Sequence, residues 1–441
     1  MARPRKRKAL GIWMNGLQVG TWAQEPTGEP VFAYSPGWLA QSEARPLSLS
    51  MPLRTSSPYR GSVVEGWFDN LLPDSREIRQ RMQSRFHAAS ARAFDLLAEI
   101  GRDCVGAVQL LPEGQVPEDI RRIRGEELTE SDVATLLRAT PLVGAGDEAS
   151  DFRISLAGAQ EKTALLWHEG GWQRPLGATP TTHIFKLPLG RVGNFQGDLT
   201  TLVENEWLCS RIVAAYGLPI AGAEIGVFED QKALIVERFD RRLASDGSHL
   251  LRLPQEDLCQ ALDVPPSLKY EADGGPGVRP IMDLLLGSRI AEQDRRMFMK
   301  AQVVFWLLCA TDGHAKNFSV AIEPEGRFRL TPLYDVISVW PLIGHGAQQL
   351  ALEKARMAMA AISKNRHYRW NDIRPRHWLS TAQACGFDTA VMQGIIDELV
   401  EQTPQVVASI ESMLPAGFPV SVSDPILRGL EYGARRLVPG E

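Results

Sequence analysis

The sequence predicts an α+β fold: a small β-rich domain, then a sheet lobe, then an all-helical lobe. Three observations carry this. Strand-like, turn-punctuated patterning runs to about Val116; a second group of apolar strands, broken by one helix, lies between Phe152 and Phe239; and long runs of helical periodicity follow Asp240. The shifts between them set boundaries at 1–117, 118–240 and 241–441. A chain of 441 residues has room for about three such units.

Taken in order, Leu10–Met14 and Gln18–Trp22 flank Asn15-Gly16, a hairpin turn signal, and Val31–Tyr34 supplies a third strand. Phe68–Leu72 and Phe94–Ile100 have helical spacing and are expected to pack on that sheet. The charged stretch 118–132 and the segment 144–150 read as loops around a short helix, Ser131–Ala139. Thr163–Trp167, His183–Leu187, Glu224–Phe228 and Ala233–Val236 read as strands, interrupted by a helix over Leu202–Tyr216 that Gly217 stops. Helices are then expected over Met282–Ile290, Arg295–Cys309, Ala347–Ile362 and Thr389–Met413, with a hairpin at Asn317–Leu330 turning on Glu325-Gly326.

Composition narrows the function classes. With 44% hydrophobic and 23% charged residues the chain is globular, and a net charge of -5 argues against a wholesale nucleic-acid coat. Five cysteines, odd in number and far apart, form neither a disulfide framework nor a CxxC metal knuckle, which fits a reducing cytoplasm. The longest apolar stretch, Val303–Ala310, falls well short of the ~20 residues of a membrane span, so a soluble protein without membrane partners is expected. Arg3–Lys8 is basic, but Ala9–Met14 is too short for a signal-peptide core and the segment reads as a solvated tail.

Asp312 followed by Asn317 suits a loop in which a carboxylate positions a hydroxyl and an amide oxygen holds Mg²⁺. The same pair also suits an ordinary turn. Asp335, arriving after the hairpin, offers a second carboxylate to the same hard cation. Lys186 sits in an apolar strand, where its ammonium needs an anion; Glu206 on the following helix is a candidate, and a lysine snorkelling from the strand end is the alternative. Ser155–Lys162 brings small residues between strands, as a phosphate cradle or a plain turn would. Glu237, Arg238 and Phe239 fall at the junction of the two lobes, where they would meet adenine or simply pack between domains. His314 has no second histidine at zinc-site spacing, and no GxSxG elbow occurs.

The ordered set Phe152–Lys162, Thr182–Lys186, Val236–Asp240, Leu253–Asp257, Asp273–Gly277, Thr311-Asp-Gly-His-Ala-Lys-Asn-Phe318 and Tyr334-Asp335, joined upstream by Arg45–Ser50, Phe68–Ser75 and Ile100–Asp103, closely resembles the HipA family of bacterial toxin kinases. The resemblance implies a serine/threonine-protein kinase with a protein-kinase-like sheet lobe and an all-helical C-terminal lobe. It implies Asp312 as catalytic base, Asn317 and Asp335 as Mg²⁺ ligands and Lys186 as the phosphate-binding lysine. Ala157, Gly158, Ala159, Gln160, Glu161 and Lys162 become the phosphate loop, Glu237 and Phe239, with Arg238 between them, the adenine contacts, and Ser155 an autophosphorylated, self-inactivating serine. Glu206, His314 and Lys316 complete the expected ATP site. A HipB-like helix-turn-helix antitoxin is the implied partner, and glutamyl-tRNA synthetase the implied substrate, its phosphorylation stalling translation and promoting persistence. One departure stands out: where better-known members carry basic residues that touch operator DNA, this chain reads Gln383-Ala-Cys-Gly386. Operator affinity is therefore expected mainly through the antitoxin. The cluster Lys364, Arg366, His367, Arg369, Arg374 and Arg376 either compensates or forms a solvated face. A nucleotide-bound co-repressor without significant turnover is the alternative function; a phosphohydrolase built on Asp312, His314 and Asp335 would leave Lys186 without a purpose.

Overall fold

Asn15 and Gly16 both take positive φ, 46° and 84°, as a two-residue hairpin turn requires. The turn folds Lys8–Met14 onto Leu17–Gln24. In the computed structural model, which describes residues 7–140, 155–157, 160–189, 191–192, 197–346 and 348–438, these two strands lie within a five-stranded antiparallel sheet. Its order is Tyr59–Arg60, Pro30–Tyr34, Leu17–Gln24, Lys8–Met14, Val108–Pro112. Helices Ser62–Asp69 and Ala93–Ile100 cover it; the second is the helix expected over Phe94–Ile100, whereas of Phe68–Leu72 only Phe68 and Asp69 are helical and the rest forms the turn that follows. Trp22 stacks on Phe68 at 3.8 Å and meets Phe94 edge-on at 4.8 Å; full burial of a side chain such as Phe68 contributes about 1.5–3 kcal/mol.

The sheet lobe has six antiparallel strands in the order Ala223–Phe228, Gln231–Glu237, His183–Lys186, Lys162–His168, Gly171–Pro175, Gly125–Glu127. The last is an edge strand inside the stretch read as loop; three residues, two of them exposed glutamates, are too few and too polar to show alternation. Helix Glu130–Ala139, started by a Thr129/Asp132 capping box, packs Val133, Ala134 and Leu137 on Leu165, Phe185 and Phe228.

Helix Leu202–Ala215, stopped at Gly217 with φ 77°, follows the sheet lobe in sequence but not in packing. Leu208 and Ile212 share the largest core with Phe298 and Val304 of Ala291–Leu307, Ile395 of Thr389–Met413 and Leu430 of Val420–Leu437. The C-terminal lobe is helical in framework, with short hairpins set into it. Ser319–Ile322 and Phe328–Leu330 turn on Glu325 and Gly326, φ 64° and 78°, and Gln255–Asp257 adds a third strand. The run Ala347–Ile362, expected as helix, is not one over its described residues: only the short 3-10 turn Leu352–Lys354 is helical. Arg356–Ile362 is a strand paired with Arg366–Arg369; Met357–Ala361 are all buried, so the run lacks the alternation that distinguishes a strand from a buried helix.

Candidate active site

Lys186 ends its strand facing the helical lobe. Its Nζ lies 2.5 Å from Glu206 Oε1, on helix Leu202–Ala215, and 2.9 Å from Asp335 Oδ1, in the loop after the C-terminal hairpin. Burial works against the Lys186 charge, but Asp335 and Glu206 outweigh it and hold the ammonium above the ordinary lysine range. Asp335 is partly buried, which alone would raise it; Lys186 and then Lys162 bring it down to about 2. Asp335 keeps a left-handed φ of 60°, a conformation Asp tolerates better than most and one that clusters at functional sites.

The chain leaves helix Ala291–Leu307 and turns at Cys309, φ 47°, into the loop Asp312–Asn317. The Asp312 carbonyl accepts from His314 N and from Asn317 Nδ2, each at 2.8 Å, so the loop is closed on itself and the Asn317 amide oxygen is left for another partner. The Lys316 ammonium donates to Asn70 O at 2.9 Å, Asn70 Oδ1 at 2.8 Å and Asp257 Oδ2 at 3.1 Å. The Asp312 carboxylate is 54% exposed, with His314 Nε2 at 3.8 Å, and accepts a hydrogen bond from the Tyr270 hydroxyl.

These groups border one cleft of about 1100 Å³ between the lobes. Of the residues expected there, Ala157, Lys162, Lys186, Glu237, Arg238 and Phe239 line it from the sheet lobe and junction. Asp312, His314, Lys316, Asn317 and Asp335 line it from the helical lobe. Glu206 stands behind Lys186. Gln160 and Glu161 border a neighbouring pocket instead, with Glu161 paired to Arg81. Gly158 and Ala159 lie outside the described residues, as does the loop read over 144–150. Lys162 donates to the Ala157 carbonyl, and burial together with Lys186 lowers it to about 8. Ser155 is fully buried, its Oγ donating to Leu71 O at 2.8 Å and its N–H to Asp103 O at 3.0 Å.

Arg238 borders the cleft, but its guanidinium is engaged elsewhere. It binds both oxygens of Asp240, at 3.0 and 2.9 Å, and Thr181 Oγ1 at 2.9 Å. Asp103, from the N-terminal domain, lies within 3.3 Å of each of Arg238, Arg241 and Arg252. All five charged groups are buried.

Asp335 and the Asn317 amide oxygen suit Mg²⁺, a hard cation bound through one or two protein ligands, water and substrate phosphates. Among the described residues no group of three or more His, Cys, Asp or Glu is disposed to hold a metal alone. Sequence reasoning missed the N-terminal domain's share of the cleft, Asn70, Leu71 and Asp74, and missed Asp257, Lys269 and Tyr270. Most of these lie in segments whose order was recognised but whose residues had no assigned role.

A strand lysine ion-paired to a helix glutamate, facing acidic and amide groups across a cleft between a sheet lobe and a helical lobe, defines a kinase-like architecture. The chain belongs to the HipA family: residues 10–111 match the HipA N-terminal domain and residues 154–407 the HipA-like C-terminal domain. It is 33% identical over 411 residues to a Sinorhizobium fredii protein named "Putative kinase Y4mE", covering 91% of this chain and 92% of that one. It is 27% identical over 426 residues to the serine/threonine-protein kinase toxin HipA of Shewanella oneidensis, covering 93% and 91%. The solved complex of Shewanella oneidensis HipA, HipB and operator DNA shares the fold, with a TM-score of 0.78 at 23% identity over 97% of both chains. All five cysteines are unpaired and buried, and no helix among the described residues is long and apolar enough to cross a membrane.

Proposed function

We propose that this chain is an ATP- and Mg²⁺-dependent serine/threonine-protein kinase, the cytoplasmic toxin of a toxin–antitoxin pair. The observation that carries the reading is the Lys186–Glu206–Asp335 cluster opposite Asp312. Mg²⁺, held by Asp335 and Asn317, would supply neutralisation of phosphate charge. Lys186 and Lys162 bind phosphate oxygens, Glu206 fixes Lys186, and Phe239 and Glu237 meet the base. Asp312, exposed at the cleft mouth, orients the acceptor hydroxyl and takes its proton. By family resemblance the partner is a HipB-like antitoxin, with operator DNA bound mainly through it, and the acceptor is glutamyl-tRNA synthetase.

Purified protein incubated with terminally labelled ATP, Mg²⁺ and a cell lysate should transfer label to a protein serine. Asp312→Asn should lower transfer by roughly two to four orders of magnitude while nucleotide binding persists. ATP binding without turnover would instead make the chain a nucleotide-bound co-repressor.

A further inference from the structure

The segment Asp273-Gly-Gly-Pro-Gly277 has no part in the chemistry above, yet it shapes the loop that meets Asp312. A Cβ on Gly275 would fall 1.8 Å from the Leu268 carbonyl oxygen, and one on Gly277 would fall 2.3 Å from the Glu271 carboxyl carbon. Gly277 leaves room for the Glu271 carboxylate, while only glycine allows the Gly275 approach, which folds the backbone tightly around Tyr270. The loop is then tied down on both sides of that residue. Lys269 Nζ pairs with Asp74 Oδ2 of the N-terminal domain at 2.7 Å, and buried Glu271 accepts from Ala360 N at 2.7 Å. The Tyr270 ring meets His314 edge-on at 4.9 Å.

What this frame presents is a hydroxyl on Oδ1 of Asp312. The main chain at Asp312 is fixed by Asn317 and His314, but its side chain stands in solvent. Among the described residues, Tyr270 supplies the hydrogen bond that sets the rotation of the carboxylate. With Oδ1 so held, Oδ2 remains to accept the proton of an incoming serine hydroxyl; the serine oxygen bonds to the γ-phosphorus of ATP as the bond to the β–γ bridging oxygen breaks, and ADP leaves with that oxygen.

We infer that Tyr270 is a positioning residue for phosphoryl transfer, acting through Asp312 by holding one carboxylate oxygen so that the other faces the acceptor. The inference rests on the kinase reading and deepens it. It gives the glycine-rich turn a purpose, because a looser turn would let the hydroxyl drift from the base.

The test is single-turnover transfer to an acceptor protein by the parent, Tyr270→Phe, Asp312→Asn and the double variant. Phenylalanine keeps the ring against His314 and removes only the hydroxyl. We expect Tyr270→Phe to lower the transfer rate about 10- to 100-fold, the scale of a small misplacement of a reacting group, with ATP affinity and melting temperature unchanged. Because Tyr270 acts through Asp312, the double variant should be no slower than Asp312→Asn alone; a merely structural role would make the losses multiply. A parental rate in Tyr270→Phe, or losses that multiply, overturns this role and leaves the kinase reading standing. A parent that transfers no phosphate overturns both.

Discussion

Lys186 Nζ stands 2.9 Å from Asp335 Oδ1, so an ion pair crosses the cleft from the sheet lobe to the helical lobe. The same ammonium holds Glu206 at 2.5 Å, and one cation serves two carboxylates. Lys186→Met leaves Glu206 buried without a counter-charge, and an orphaned buried charge costs about 3–5 kcal/mol. Urea unfolding should show that loss. Lys186→Met combined with Glu206→Met should recover most of it, since apolar replacement of a whole buried pair is often neutral, while phosphotransfer stays lost in both. If the double variant were as unstable as the single, the ion pair would not be the source of the loss.

On the proposed kinase function, Lys162 should give phosphate binding in the cleft a pH dependence. Its amine titrates near 8, because burial and the Lys186 charge both disfavour protonation. A lysine whose pKa is lowered loses its charge as pH rises through that value, so affinity for a phosphate ligand falls from there upward. ATP affinity, followed by calorimetry from about pH 7 to about pH 10, should weaken across the lower part of that range, below an ordinary lysine pKa. Lys162→Met should bind weakly and without this dependence. A parent whose affinity stays flat past pH 9 would count against a phosphate contact by Lys162.

Ser155 is expected to be phosphorylated by the enzyme itself, and its surroundings dictate how. Its Oγ is fully buried and donates to Leu71 O. A phosphoryl group brings about -1.5 to -2 charge, and three acceptor oxygens against a carbonyl cannot stay there. The modified segment must leave the N-terminal domain. Mass spectrometry after incubation with Mg²⁺-ATP should find phosphate on Ser155, and none in Asp312→Asn. Protease cleavage between Ser155 and Lys162 should rise, and ATP affinity fall, with occupancy. Ser155→Ala, losing one buried hydrogen bond, should cost about 1 kcal/mol. Phosphorylated protein that still binds ATP normally would sink this switch.

The isolated chain should bind DNA weakly. Phosphate contacts dominate non-specific affinity, the net charge is -5, and part of the basic cluster is committed within the protein. Arg366 lies 3.4 Å from Glu271, and Arg374 donates to the Asn371 and Ile373 carbonyls. A gel shift at physiological salt should require the antitoxin; an equal shift by the chain alone would show that this surface reads DNA by itself.

Much of the site was legible because its residues are chemically out of place locally. A lysine inside an apolar strand demands an anion, and Asp312, Asn317 and Asp335 recur around a hairpin whose turn residues are plain in the sequence. Tyr270 was not legible: a tyrosine after a lysine carries no local signal, and the hydroxyl acquires meaning only through a carboxylate 42 positions later. Asn70 meets Lys316 across 246 positions. Arg238 read as a nucleotide contact because its neighbours do, whereas Asp103, 135 positions earlier, turns its guanidinium inward. Strand Arg356–Ile362 was misread because burial on both faces erased its alternation.

Asp103 has a consequence for the molecule as a whole. It belongs to the first sheet domain, yet it is a counter-ion for three arginines beside the cleft between the lobes. A chain shortened to begin after residue 117 would take Asp103 and the Cys104 and Gly106 carbonyls away from Arg238, Arg241 and Arg252 and open this cluster to water. Residues outside the first domain that face this contact would lose buried hydrogen bonds and ion pairs together, a sizeable loss against the roughly 5–15 kcal/mol that holds a whole domain folded. The first domain is part of the frame of the cleft, and its removal should destabilise the rest of the chain. Heat or denaturant should therefore melt it together with the cleft as one cooperative body.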